Sequence, residues 1–352
     1  METRSTFPFY LKISQIMLAL IAVLFILYIG QEIILPILFA GIIAILLNPV
    51  VNFLYRKHLN KILSILIAML VGFIVISVLS YFFSSQIAEF GNELPKFKNK
   101  FSELYNQLVV WISHTFNLNQ DKITSWIEKT KDKGINSSKS LIGPVVSTIG
   151  GLLMLLIIIP VYVFLILLYK PLFLEFIQKL FPEKHKLVSD VISQSRSLIQ
   201  SYLFGLMIET GIIAVMNSIS LLLLGVESAI LIGVAGALLN LIPYIGGVIA
   251  IVLAMVMAIT SQPPIYAFWV FIVYNLIQLF DNHFIVPKIV ASKVNINPFI
   301  SIVVVLIGGT FWGIPGMFLS IPITAIIKIV FDRIESLKPL GFLLGNDIPT
   351  RR

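Results

Sequence analysis

From Asn240 to Pro322 the chain is apolar enough to sit in lipid, yet Pro243, Pro287, Pro298, Pro315, Pro322 and a run of glycines interrupt it. Each interruption frees backbone groups that hydrocarbon cannot hydrogen-bond. Broken helices therefore persist in a bilayer only where protein or a wet cavity satisfies those groups. Sites that hold solutes and ions inside membranes are built from such segments, so this stretch constrains the whole chain more than any other.

Hydrophobic residues make up 58% of the 352-residue sequence and charged residues only 12%, with a mean hydropathy of +0.99. Soluble domains run near half apolar and a quarter charged, so the composition is that of a polytopic, all-α membrane protein. The net charge of +8 reads as lysine and arginine that orient the chain in the bilayer. No basic nucleic-acid module is recognisable, and no nucleic-acid partner is expected. The absence of cysteine excludes disulfides, thiolate metal sites and a cysteine nucleophile. No small-residue cleavage site follows the first apolar run, which is read as a retained helix.

Windows long enough to cross a hydrocarbon core of about 30 Å fall at Ser14 to Gly30, Ile33 to Val51, Ile62 to Phe83 and Leu141 to Tyr169. Further windows follow at Tyr202 to Leu224, Ala229 to Ile259, Tyr266 to Val286 and Phe299 to Val330. This predicts a bundle of about eight spans if the interrupted stretch from Ala229 to Ile259 counts as one crossing. Pro36 and Pro49 lie near the ends of the second window, where a helix tolerates them best. Basic residues cluster at Arg4 and Lys12, at Arg56 to Lys61, from Lys170 to Arg196, and from Arg333 to Arg352. Those clusters mark the inside and alternate correctly for eight crossings with both termini cytoplasmic in a bacterial inner membrane. A re-entrant hairpin at Ala229 to Ile259 would put the basic tail outside, so the charge pattern favours a crossing there.

Three regions follow: N-terminal membrane helices over 1–83, an extramembrane amphipathic helical segment over 84–140, and a membrane region over 141–352 with a cytoplasmic linker at 172–201. Residues 84–140 carry eight lysines against six acids. Phe97, Phe101, Leu104, Leu108, Trp111 and Ile112 recur there three and four residues apart, as on amphipathic helices. The segment reads either as a vestibule or interfacial belt on lipid headgroups or as a small cap packed on itself.

Candidate functional residues are those that are costly in lipid. Glu209 stands in the run Leu206-Met207-Ile208-Glu209-Thr210-Gly211-Ile212-Ile213, and a carboxylate at mid-bilayer costs at least ~2.5 kcal/mol. It reads either as an ion- or proton-linked group or as helix-packing glue. Gly205 one turn earlier predicts close packing on the same face. Tyr274, Asn275, Gln278, Asp281 and Asn282 form a polar stripe opposite Phe271, Ile272, Ile277, Leu279 and Phe280, so that stripe faces protein or water. It reads as lining for a solute path or as interhelical glue. Asn240 adds a polar group at the break before Pro243. In the third element, Ile307-Gly308-Gly309-Thr310-Phe311-Trp312-Gly313-Ile314-Pro315-Gly316, the chain is broken or two helices touch backbone to backbone. The expected site lies between the Asn240 to Gly247 break, Gln278 with Asp281, and the Gly308 to Gly316 segment.

The order and spacing of several pieces resembles the autoinducer-2 exporter-like family of bacterial membrane permeases. These are Asn48-Pro49, Asn240-Leu241-Ile242-Pro243-Tyr244-Ile245-Gly246, Gln278 to Asp281, Val286-Pro287-Lys288-Ile289 and Asn297-Pro298. Gly308-Gly309, Gly313, Gly316, Pro322 and Lys338-Pro339-Leu340-Gly341 complete the set. The family pattern commonly has proline where Gly247 stands and histidine where Asn297 stands. The resemblance implies a multi-spanning permease that moves small solutes outward or exchanges cations for protons. It extends the candidates to Tyr244, Gly246, Pro287, Asn297 and Pro298.

No phosphate-cradling Gly-x-x-x-x-Gly-Lys-Ser/Thr loop is present, and no His-Glu-x-x-His pair or Gly-x-Ser-x-Gly elbow, so ATPase, metalloprotease and hydrolase chemistry lack their residues. Neither an enzyme activity nor a cofactor nor a metal site is expected. The expected partners are the lipid bilayer, a small solute or ion, and further copies of the same chain in a homo-oligomer. Readings as a passive channel, or less readily as an intramembrane enzyme, remain open from the sequence.

Overall fold

The computed structural model describes residues 9–116, 142–243, 245–290 and 295–346. Every regular element among them is helical: α1 (Phe9–Ile29), α2 (Gln31–Arg56), α3 (Lys61–Phe116), α4 (Ile142–Leu180), α5 (His185–Leu223), α6 (Ala229–Leu239), α7 (Ile245–Ser261), α8 (Ile265–Phe280), α9 (Pro298–Arg333) and α10 (Lys338–Leu344). α8 runs on as a π-helix over Asp281–Val290. The fold is a polytopic helical membrane bundle. Six helical stretches among the described residues are long and apolar enough to span a bilayer, and α6 and α7 are shorter apolar helices.

Large apolar side chains such as Ile67, Phe73, Val215 and Phe268 point outward, while alanines such as Ala40, Ala68, Ala237, Ala254 and Ala258 are buried where helices meet. That is the packing expected where lipid supplies no hydrophobic drive and backbone proximity must bring helices together. Ala40, Ala44, Ile65, Ala68, Val163 and Leu167 join α2, α3 and α4. Leu221, Ala229, Ile232, Ala250, Ala254, Met257, Ala258 and Val270 join α5 through α8.

Helix runs across two of the expected region boundaries. Residues 84–116 continue α3 without a break at 83, and 117–141 lie outside the described residues. The linker at 172–201 is the end of α4, a short 3-10 turn at Pro182–Lys184, and the first turns of α5.

The stretch from Ala229 to Ile259 is not one continuous helix. α6 and α7 form a hairpin whose ends meet, since the Gln262 side-chain amide donates to the Gly225 carbonyl at 2.6 Å. Within it a Cβ on Gly236 would touch Ala250 at 3.3 Å, and one on Gly246 would overlap the Leu239 carbonyl. Glycine at 246 is thus required for the tight return at the tip. The tip stops inside the bundle: its Asn240 bonds Asp281, from which ten residues of π-helix still run on.

α9 is likewise not one straight helix. At Gly313 the backbone takes φ 60° and ψ −142°, a conformation open to glycine because no Cβ clashes. The chain there doubles back, so that Gly308 and Gly316 touch backbone to backbone. The tip lies by the turn between α1 and α2, where the Trp312 indole donates to the Leu27 carbonyl at 3.0 Å and Phe311 meets Tyr28 edge-on. The base closes through Asn297, whose backbone N–H donates to the Leu344 carbonyl at 3.0 Å.

Candidate functional site

Three elements meet at the tip of the α6–α7 hairpin. Asn240 ends α6, and its amide donates to Asp281 Oδ2 at 3.1 Å. Gln278 lies one turn before Asp281 on α8, and a Cβ placed on Gly247 would stand 2.9 Å from its Oε1 and 3.3 Å from Asn240 Oδ1. The break at Pro243 makes this approach possible, because a continuous helix would carry Asn240 and Gly247 past Asp281 in succession.

Glu209 faces the same region from α5. Gly205, one turn before it, packs so tightly on α8's continuation that a Cβ would stand 2.6 Å from the Ile289 carbonyl. One turn after Glu209, Ile213 is buried with Ala237, Ile277 and Ile285. Glu209 is held between these contacts, 6% exposed, and Asp281 is 1% exposed. Neither forms an ion pair with a described residue.

Further buried polar groups lie higher in the α5–α6–α8 interface. The Asn217 amide nitrogen and the Tyr274 ring both approach Gly236, and Gly233 admits the Ser218 backbone. Asp281 Oδ1, Tyr274 Oη, Asn217 Oδ1 and Ser218 Oγ are buried without a hydrogen-bond partner. Each such group costs roughly 1–3 kcal/mol if left unpaired. Four of them reach the scale of a whole domain's stability of about 5–15 kcal/mol, so these are the groups of the interface that a polar guest, an ion or water, would satisfy. Two carboxylates with amide oxygens beside them suit a proton or a small cation as part of that guest.

The polar stripe on α8 divides. At 3.6 residues per turn, Gln278 and Asp281 fall within about 40° of Tyr274, while Asn275 and Asn282 lie about 80–100° round the helix. Accordingly Tyr274 and Asp281 are buried and Gln278 half-buried, whereas Asn275 and Asn282 are exposed. Asn275 satisfies itself by donating to the Phe271 carbonyl at 2.7 Å.

The glycine ladder is not brought to this cluster. A Cβ on Gly308 would strike Ser320 and Gly316, and one on Gly309 would stand 2.6 Å from Met317 Cε. These residues pack the two arms of α9 on each other, with Gly313 at the turn. Asn297 and Pro298 are also elsewhere: Asn297 caps α9 by accepting from the Ile300 N–H at 2.8 Å and donates to the Leu343 and Gly345 carbonyls at 2.8 and 3.1 Å. Pro298 occupies the first turn of α9, where its missing N–H is harmless. Pro287 lies exposed in the π-helix, and Tyr244 is outside the described residues.

Sequence reasoning passed over Asn217, Ser218 and Tyr202. Tyr202 is buried and close enough to Glu209 to feel its charge. Asn217 and Ser218 interrupt the apolar run Ile212 to Leu224, and that interruption was the available signal.

Residues 17–336 match the family described as AI-2E family transporter. YueF of Bacillus subtilis (strain 168) is 27% identical over 86% of this chain and 84% of its own length. YhhT of Escherichia coli (strain K12) is 24% identical over 95% of this chain and 94% of its own. The AI-2 transport protein TqsA of the same strain is 23% identical over 90% of each.

Proposed function

The chain belongs to the AI-2E transporter family, and on that premise we propose that it is a secondary transporter whose solute path passes the tip of the α6–α7 hairpin. The observation that carries this is the pairing of a re-entrant tip with two buried carboxylates, Glu209 and Asp281, and the Asn240 amide bonded to one of them. Secondary transporters place their sites at broken helices inside the bilayer because freed backbone and costly side chains find uses there together. Export of a small polar solute is the leading reading, and autoinducer-2 is the first solute to try because TqsA is named for it. A second reading, cation–proton exchange, is favoured by two acids with no basic partner among the described residues.

The working orientation puts both termini and the α4–α5 turn on the cytoplasmic side of a bacterial inner membrane, with copies of the chain joined in a homo-oligomer. Taking α6–α7 as re-entrant and the two arms of α9 as two crossings makes the number of passes even, and with the basic residues near Arg56, Lys184 and Arg333 this supports the orientation. It predicts that single cysteines at Glu227 and Gln262 label from one side and a cysteine at Ser336 from the other. Labelling of Glu227 and Gln262 from opposite sides would return the hairpin to a crossing.

The direct test is flux into proteoliposomes holding the purified chain, with solute, pH and sodium gradients imposed separately. Solute flux driven by a gradient and lost in Asp281→Asn supports the proposal. Undiminished flux in both Asp281→Asn and Glu209→Gln moves the path elsewhere.

A further inference from the structure

A second polar cluster lies at the other end of the bundle, where α4 turns into α5. There α2, α4, α5 and the end of α9 enclose a cavity of about 400 Å³. Its walls are largely aliphatic, with Ile45 and Leu174 among them, and its polar lining is Asn48, Lys170, Ser195 and Arg196. No carboxylate lines it.

The chemistry of these four groups is one-sided. Lys170 Nζ donates to Asn48 Oδ1 at 2.9 Å, which uses Asn48's acceptor and leaves its amide nitrogen. That nitrogen is buried without a partner, on a residue only 4% exposed, and Ser195 Oγ is buried unpartnered as well. Arg196 and Lys61 are near enough for their charges to act on Lys170, and neither Lys170 nor Arg196 forms an ion pair among the described residues. Like charges gathered in a half-buried place repel one another, which an oxyanion would relieve. Guanidinium and ammonium groups with spare N–H and O–H donors match the oxygens of a phosphate.

We propose that this cavity binds the phosphate oxyanion of an amphiphile, with the anion between Lys170 and Arg196, the Asn48 amide and Ser195 hydroxyl donating to it, and an apolar chain along the aliphatic wall. The aliphatic lining favours an anionic phospholipid as the source over a free phosphate ester. The site is separate from Glu209 and Asp281, so it can stand or fall apart from the transport reading.

The test uses the purified full chain in neutral detergent, titrated with phosphatidylglycerol, phosphatidylcholine or glycerol phosphate and read by native mass spectrometry and thermal unfolding. Phosphatidylglycerol should bind and raise the unfolding temperature, and phosphatidylcholine should do neither. Asn48→Asp preserves size and the bond to Lys170 while adding a negative charge. It should weaken phosphatidylglycerol binding by roughly tenfold or more, as should Lys170→Gln with Arg196→Gln. Lys179→Gln, on an exposed residue paired with Glu175, should leave binding unchanged. Equal competition by glycerol phosphate would assign the anion site to a soluble ester. Binding by neither anion, or binding that Asn48→Asp leaves intact, overturns the proposal.

Discussion

The α6–α7 hairpin and the doubled-back α9 are both apolar segments broken by glycine and proline, and they end in opposite ways. At the first tip, Asn240, Gln278 and Asp281 converge, and Asp281 Oδ1 is buried with no protein partner. At the second, glycine packs on glycine, the Ser320 hydroxyl returns to the Gly316 carbonyl at 2.6 Å, and Trp312 finds the Leu27 carbonyl. A break in a membrane helix therefore does not mark a site. On the proposed reading, a break that leaves buried polar groups wanting partners does, because satisfied breaks serve as packing devices and unsatisfied ones are costly in lipid.

The largest effect that would break this contrast is at Asp281. Asp281→Asn keeps size and the contact with Asn240 but removes the charge, and should cut flux by more than about tenfold, equivalent to about 1.4 kcal/mol in the barrier. Expression and unfolding temperature should stay near those of the parent. A comparable loss of flux from Gly309→Ala, in protein shown to be folded, would instead restore the glycine ladder to the transport path.

The two tips should next separate under added bulk. Gly246→Ala and Gly316→Ala each push a methyl into backbone, and overpacking of this kind costs typically 1–3 kcal/mol. Both should lower the unfolding temperature. Only Gly246→Ala should also reduce flux per folded molecule, since it moves Asn240 away from Asp281. Equal flux per folded molecule in the two variants would remove the functional difference between the tips.

Much of this contrast was legible in the sequence, and its geometry was not. Glu209, Asn240, Gln278 and Asp281 stand out because each is polar where lipid penalises it, and the structure brings all four to one region. Chain direction is invisible to composition. A window over Ala229 to Ile259 carries the same apolar content whether it crosses or returns, and only the meeting of Gly225 with Gln262 decides between them. The break in Ile307 to Gly316 was legible from its glycines and Pro315, but which of Gly308, Gly309, Gly313 and Gly316 makes the turn was not, until the φ of 60° at Gly313 is seen.

Gly313 offers a smaller, purely structural effect. An alanine there must hold φ 60° and ψ −142°, close to a region that essentially only glycine adopts, at a cost of roughly 1–3 kcal/mol, with nothing within 4 Å of the added methyl. Gly313→Ala should lower the unfolding temperature by a few degrees and leave flux per folded molecule unchanged. Lost flux without lost stability would mean that the α9 turn moves during transport.

The smallest effect is expected inside the α8 stripe and sharpens the comparison most finely. Asn275 and Gln278 are three residues apart, both amides, and both interrupt the same apolar helix. Gln278 stands against Gly247 and Asn240 at the hairpin tip, whereas Asn275 is turned outward and bonded to its own helix at Phe271. Replacing Asn275 by leucine removes a bond that the backbone carbonyl can forgo, since that carbonyl already serves the helix ladder, and presents to lipid a side chain that lipid accepts. Flux and unfolding temperature should both be unchanged within error, with any stability change inside about ±0.5 kcal/mol. The same replacement at Gln278 takes a polar group from the tip and sets a branched side chain against Gly247, and should reduce flux measurably. A matching loss at Asn275 would show that the path runs along the outer flank of α8, against a neighbouring copy of the chain, and not through the cluster around Asp281.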